Sequence, residues 1–208
     1  MTVNIGVLAS GRGSNLQALI QSASEGRLGD AKIRIVISNK QAAGALDIAR
    51  ANYIKAVYLS VEGSEESRWS YDSKIAANLA ESEVTPEDGL VALAGYMRVL
   101  SSEFVRLYAG RIMNIHPSLL PSFPGLNAQR RALEYGVKIS GCTVHFIDEG
   151  IDTGPIVVQF PVPVREDDTV ESLSDRILAE EHKIYSKAVR LFVEGKLRFE
   201  GRRVRVLA

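Results

Sequence analysis

Asn4-Ile-Gly-Val-Leu-Ala-Ser-Gly-Arg-Gly-Ser-Asn-Leu-Gln-Ala-Leu19 reads as an apolar strand, a glycine turn and the opening of a helix. A strand over Asn4–Ala9 that runs through Gly11 and Gly13 into a helix over Asn15–Ala23 is the repeating unit of an α/β fold. The same alternation continues outward. Strands are expected at Lys32–Ser38, Ala56–Leu59, Leu90–Ala94, Ile112–His116, Ser140–Ile147 and Ile156–Phe160. Helices are expected at Gly44–Ala51, Glu66–Leu79, Ser101–Tyr108 and Gln129–Tyr135. The last helix is marked by Val170, Leu173, Ile177, Ile184, Ala188, Leu191 and Phe192 at helical spacing, with Gly195 as its stop. Beyond it, Leu197–Val206 alternates around Glu200-Gly201, the pattern of a terminal hairpin. The pattern predicts a mostly parallel twisted sheet of about seven strands with helices on both faces.

At 208 residues one domain over 1–208 is expected. The polar stretch Val61–Ser67 is too short for an interdomain linker and reads as a surface loop. Lys+Arg and Asp+Glu number 25 each, for a formal net charge of 0, which leaves no electrostatic footprint for nucleic acid or for a membrane surface. Val3–Ala9 is too short for a targeting segment, and no apolar run approaches spanning length. Cys142 is the only cysteine, which excludes an internal disulfide and a cysteine metal cluster and fits a reducing cytoplasm. The three histidines are scattered, so no metal is expected.

Three segments carry chemistry. Ala9–Leu16 offers glycines and a helix start, where backbone N–H groups favour an anion. Leu16 stands where a dinucleotide fingerprint needs a third glycine, and no Gly-Lys-Ser/Thr follows, so a small phosphate monoester is the expected ligand. The plainer reading is a tight turn with Ser14 as helix cap.

Asn114-Ile-His-Pro-Ser-Leu-Leu-Pro121 places an amide and an imidazole two residues apart, on one face of an extended chain. Pro117 then ends the strand and leaves the pair at an open end. An amide donor beside a titratable ring suits acyl transfer to an amine. The third segment, Gly141–Pro155, ends a strand in a loop bearing Asp148, Glu149 and Asp152. A carboxylate beside an imidazole favours the charged ring. Asp152 follows His116 by one strand–helix–strand unit, so parallel pairing of those strands would join their ends. Asp148 reads equally well as a turn residue. Val91–Leu100 is a core strand leading to backbone groups at Arg98 and Leu100. His145 reads as a hydrogen-bonded structural residue within its strand, and His182 as a partly exposed helix residue.

Together these segments resemble the phosphoribosylglycinamide formyltransferase family, the folate-dependent transformylases of purine synthesis. The resemblance runs from Ile5-Gly-Val-Leu through Ser14-Asn-Leu-Gln-Ala-Leu19, Ser38-Asn-Lys40, Leu93–Arg98, Asn114–Pro121 and Asp148–Pro155 to Glu181-His182. It implies a Rossmann-like fold and a catalytic trio of Asn114, His116 and Asp152. It implies that Gly13, Ser14 and Asn15 hold the substrate phosphate, with Glu181 near the ribose. Arg68, Met97, Arg98, Val99, Leu100, Asn114 and the loop Asp148, Glu149, Gly150, Ile151 and Asp152 would bind 10-formyltetrahydrofolate. Arg68 suits the folate carboxylates, since a guanidinium can grip a carboxylate with two hydrogen bonds. The implied partners are two small molecules, phosphoribosylglycinamide and the folate, on a monomer or homodimer. Asn127 departs from the pattern, because many relatives carry histidine there.

Methionyl-tRNA formyltransferase shares the Asn-x-His-Pro-Ser core but is expected to add a nucleic-acid-binding domain after it. Formyltetrahydrofolate deformylase, which uses water in place of the amine, is expected to carry a regulatory domain before the first strand. A phosphate-binding module without activity explains Gly11–Asn15 but leaves Asn114, His116 and Asp152 without a role.

Overall fold

The computed structural model describes residues 2–61 and 66–207. In chain order its elements are β1 (Val3–Leu8), α1 (Ser14–Ser24), β2 (Ala31–Ser38), α2 (Gly44–Ala51), β3 (Lys55–Tyr58), α3 (Arg68–Glu81), β4 (Leu90–Leu93) and α4 (Ser102–Leu107). There follow β5 (Ile112–His116), α5 (Ala128–Tyr135), β6 (Ile139–Phe146), β7 (Ile156–Pro163), α6 (Val170–Val193), β8 (Leu197–Glu200) and β9 (Arg203–Val206). Strands β1 to β7 form one seven-stranded sheet in the order β3-β2-β1-β4-β5-β6-β7, and β8 pairs with β9 as the terminal hairpin. The expected α/β class is the observed one.

Pairing is parallel from β3 to β5 and antiparallel from β5 through β6 to β7. The antiparallel pairing of β6 with β7 has a simple cause: the segment between Phe146 and Ile156 is too short for a parallel crossover, which takes a dozen or more residues. Chain length does not explain the reversal between β5 and β6, whose connection contains α5 and is long enough for either direction. β7 also runs past its expected end at Phe160 to Pro163. It is an edge strand, where Pro161 and Pro163 are tolerated because they interrupt no further ladder.

Helices cover both faces. Leu16, Leu19 and Ile20 of α1, Ala45 and Ala49 of α2 and Leu173, Ile177 and Ile184 of α6 share one core with β1, β4, β5 and β6. Tyr71, Ile75 and Leu79 of α3 and Phe104 of α4 fill the other. Helix α3 starts at Arg68 rather than Glu66 because the Ser67 hydroxyl caps it, accepting from Ser70 N at 3.0 Å. Residues 62–65 of the expected surface loop lie outside the described residues. A capping box of Thr169 and Ser172 starts α6. Further along α6, the buried Tyr185 hydroxyl lies 2.9 Å from the carbonyls of both Leu93 and Met113, fixing the helix across β4 and β5. Among the described residues no helix is long and apolar enough to cross a membrane.

Candidate active site

The carboxyl ends of the parallel strands open on one rim, where α/β sheets place their ligands. Ser10 ties this rim together: its hydroxyl donates to Asn39 Oδ1 at 2.6 Å and accepts from Met97 N at 2.9 Å. The loops that leave β1, β2 and β4 are thereby joined.

Gly13, not Ser14, caps α1, with φ +86° and no side-chain cap bond. A Cβ at Gly13 would also stand 2.8 Å from Ala45 Cα of α2. Both the left-handed turn and the close helix packing therefore demand glycine. The resulting helix start, at Ser14 and Asn15, is uncapped and electropositive. Helix α6 closes this pocket from the side. Asn15 Nδ2 donates to Glu181 Oε2 at 2.8 Å, and the carboxylate is only 7% exposed. Burial raises the Glu181 carboxyl above its ordinary 4.5, against the opposing pull of the Asn15 hydrogen bond. Asn15 Oδ1 and His182 Nε2 are buried without hydrogen-bond partners among the described residues, and burial lowers the His182 pKa. His182 is thus partly exposed, as expected, with its inner nitrogen turned into the protein.

At the end of β5 the pairing with β6 sets Asn114 opposite His145 and His116 opposite Thr143. His145 is fully buried, its Nδ1 2.9 Å from the Phe146 carbonyl and its Nε2 3.2 Å from Asn114 Nδ2. A carbonyl can only accept, so Nδ1 carries the proton. Burial lowers the His145 pKa, against the opposing pulls of the Phe146 carbonyl hydrogen bond and of Asp152, and so favours the neutral ring. Its Nε2 is then an acceptor, and Asn114 must present its NH₂ group to it. One Asn114 N–H is spent on His145, which leaves the amide one further donor.

Asp152 meets both histidines. Its Oδ2 lies 3.3 Å from His116 Nδ1 and accepts from Gly125 N at 2.7 Å, while Oδ1 lies 3.6 Å from His145 Nε2. Its φ of +53° is in the left-handed region, which aspartate, like asparagine, reaches at less cost than other side chains but still not freely. His116 Nε2 donates to the Phe123 carbonyl at 2.9 Å, so each of its ring nitrogens faces an acceptor. The trio expected from the sequence is therefore assembled, but not by parallel strands. Antiparallel β6 leads back along β5, and the β6–β7 loop folds over to return Asp152 to His116.

The proline-rich loop after His116 is held by Thr143. The Thr143 hydroxyl donates to Ser118 O at 2.6 Å and accepts from Leu120 N at 3.1 Å and Gln159 Nε2 at 3.0 Å. Asn127 is exposed and caps α5 with φ +56°, a conformation asparagine tolerates.

The expected folate residues divide by environment. Met97 and Val99 are 62% and 54% exposed on the rim, whereas the Leu100 side chain is buried in the second core. The Arg98 guanidinium lies 4.2 Å from the centre of the Tyr71 ring. Arg68 is exposed at the first residue of α3. Asp148 is consumed by its own loop, accepting from Gly150 N at 3.1 Å and Thr153 Oγ1 at 2.6 Å, which favours its turn reading. Glu149 is bound by Arg106 through Nε at 2.9 Å and Nη2 at 3.2 Å. Gly150 and Ile151 are exposed at the loop tip.

His145 and Thr143 are the residues whose place in the site the sequence did not reveal. The alternation of Thr143 and His145 is a visible signal, but only the antiparallel register sets it against His116 and Asn114. Among the described residues no group of His, Cys, Asp and Glu is arranged to hold a metal ion.

Comparison with known proteins agrees with this geometry. A solved structure of glycinamide ribonucleotide transformylase 1 from Symbiobacterium toebii superposes with a TM-score of 0.94 at 50% identity, covering 100% of this chain and 95% of that one. Phosphoribosylglycinamide formyltransferase of Escherichia coli (strain K12) is 41% identical over 196 residues, 94% of this chain and 90% of that protein. The trifunctional purine biosynthetic protein adenosine-3 of Homo sapiens is 47% identical over 191 residues, 92% of this chain but 18% of that protein. The chain thus spans less than a fifth of such trifunctional relatives. The Formyl transferase family matches residues 3–189, a span that includes the glycine turn, the trio and Glu181, and the chain belongs to that family.

Proposed function

We propose that this chain transfers the formyl group of 10-formyltetrahydrofolate to the amine of phosphoribosylglycinamide, in purine synthesis. One observation carries the reading. Asn114, His116 and Asp152 gather at the end of β5, separated by the single strand β4 from β1 and the uncapped start of α1 that follows it. An acyl-transfer centre and an anion cradle thus share one rim, as a phosphorylated amine acceptor requires. The relatives bearing the names of this reaction support the same assignment.

In this reading the phosphate rests on the N–H groups at Gly13, Ser14 and Asn15, and Glu181 receives the ribose. The folate ring lies along Met97–Leu100 and the 148–152 loop, with Arg68 gripping its carboxylates. The amine attacks the formyl carbon, a C–N bond forms, and the carbonyl π pair moves onto oxygen. Asn114 donates its second N–H to that oxyanion, in a direction fixed by neutral His145. His116, flanked by Asp152, would add positive charge beside it when its ring is protonated. As the oxyanion collapses the bond to folate N10 breaks, and the proton lost by the new ammonium reaches N10. His116 or a water held on Asp152 carries it. Through Nε2, His116 would exchange the Phe123 carbonyl for substrate. The described residues act here as one formyltransferase unit with two small-molecule substrates.

The test is consumption of 10-formyltetrahydrofolate with and without the glycinamide ribonucleotide. Formyl transfer that depends on the ribonucleotide is expected. Formate release without it would assign the site to hydrolysis, and no consumption under either condition would remove the formyl donor altogether.

A further inference from the structure

The backbone of Asp152 sits in the left-handed region, which aspartate reaches at less cost than most side chains but still not freely, so its surroundings help to hold it there. Part of that constraint lies within the loop. Asp148 Oδ1 binds Gly150 N and Thr153 Oγ1, and a Cβ on Gly154 would overlap the Phe146 carbonyl oxygen. Two further fastenings come from elements outside the loop. Arg106 of α4 holds Glu149 with a fork of two hydrogen bonds, at 2.9 and 3.2 Å. Arg202, in the turn between β8 and β9, donates from Nη2 to the Thr153 carbonyl at 2.7 Å. The two arginines therefore grip the chain three residues before and one residue after Asp152, from separate elements.

The hairpin that supplies Arg202 is itself seated. Phe199 of β8 packs on Phe146, the last residue of β6, with ring centres 4.8 Å apart. β9 lies against β7. Residues 197–206 fall outside the span matched by the family, 3–189, yet they reach the residue next to Asp152.

We propose that Arg106 and Arg202 are positioning residues for Asp152, clasping the β6–β7 loop from α4 and from the terminal hairpin so that the carboxylate stays between His116 and His145. Neither touches the trio. They act through the loop backbone, which relaxes away from its left-handed conformation when either grip is lost. The inference rests on the function proposed above for its kinetic part, and on geometry alone for its structural part.

Two measurements separate these. Hydrogen exchange of the Gly125 amide, which donates to Asp152 Oδ2, reports the seat of the carboxylate whether or not the protein turns over substrate. Arg202→Met and Arg106→Met should each speed that exchange and lower kcat by roughly three- to tenfold, the range expected for loss of one net hydrogen-bond interaction. KM for the ribonucleotide, whose proposed cradle is on α1 and α6, should stay unchanged. Arg202→Lys, which keeps a donor, should recover most of the loss. The exchanged pair Arg106→Glu with Glu149→Arg should restore the slow Gly125 exchange that Arg106→Glu alone would lose. Unchanged Gly125 exchange in both methionine variants would overturn the clasp even if formyl transfer is established. A wild-type chain that does not transfer formyl would overturn the functional reading, while faster exchange in the variants would still uphold the clasp.

Discussion

The two halves of the rim are built in different ways. At the end of β1, the phosphate half is made by one continuous segment, Ala9–Leu16, whose strand, turn and helix start follow from local residue types. The trio at the end of β5 needs side chains from β5 and the β6–β7 loop, with the His145 side chain of β6 and the Gly125 backbone of a second loop completing it. On the proposed reading backbone N–H groups do the work in the first half, so most of its side chains should be replaceable. In the second half each side chain has a defined partner, so few are. Substitutions should divide along that line.

The largest effect is expected at the trio. Asn114→Ala removes the N–H aimed at the oxyanion and should lower kcat by ~10²–10³ with folding intact. Steady-state kinetics beside a circular dichroism spectrum test it, and near-normal kcat in a folded protein would end the oxyanion role. Next comes Gly13→Val, whose side chain meets Ala45 in a left-handed turn. Because the clash is with α2 and not with a ligand, the expected result is a loss of stability of at least ~1–3 kcal/mol, read by urea unfolding. If the variant keeps wild-type stability and only KM changes, the glycine serves the anion and not the packing.

Gly11 sharpens the contrast. A Cβ there meets nothing within 4 Å, so Gly11→Ala should fold normally. If the anion approaches this turn, KM for the ribonucleotide should rise roughly tenfold, the equivalent of about 1.4 kcal/mol, while KM for the folate stays level. Equal effects on both substrates would place the anion elsewhere.

The smallest effect is one of pH. Native Glu181 keeps its proton above the ordinary 4.5 at which the unfolded chain releases it. The native state therefore binds more protons in that window, and stability falls as pH rises from 4.5 through the raised native value. Glu181→Gln has no proton to lose, so its stability relative to wild type should climb over that window, by at most ~1.4 kcal/mol per pH unit. A pH-independent difference between the two proteins would contradict the buried-acid account. His145 works in the opposite sense. Its native pKa is below 6.5, so the unfolded ring takes up a proton first and stability is lost as pH falls below 6.5 towards the native value.

What the sequence revealed follows the same division. The strands, the helices and the glycine turn are local patterns, and their expected bounds lie within a few residues of the observed ones. Helix α2, expected over Gly44–Ala51, is found there. The trio was recognisable as residues, but its assembly was not. The reversal from β5 to β6 is not dictated by chain length, since their connection contains α5 and could serve either direction, and no periodicity records it. For the same reason His145 read as a buried structural histidine. It is one, and its neutral ring also sets the direction of Asn114. The need for glycine at position 13 is a contact with α2, a partner some thirty residues away in the chain, and the local motif could not show it.

Tyr185 has a consequence for substrate choice. Its hydroxyl reaches the carbonyls of Leu93 and Met113, the latter adjoining Asn114, and Glu181 lies one helical turn earlier on the same rigid rod. The span from Met113 to the Glu181–Asn15 pair is thus a hydrogen bond, a phenol ring and four helical residues, the last rising about 6 Å. None of these parts stretches easily. Under the proposed function the site would work as a calliper, measuring the acceptor from sugar to nucleophile and setting the amine at the jaw. An acceptor one methylene longer or shorter would still rest its phosphate on α1 but would offer its nitrogen out of line with the formyl carbon, and so would occupy the site without being consumed.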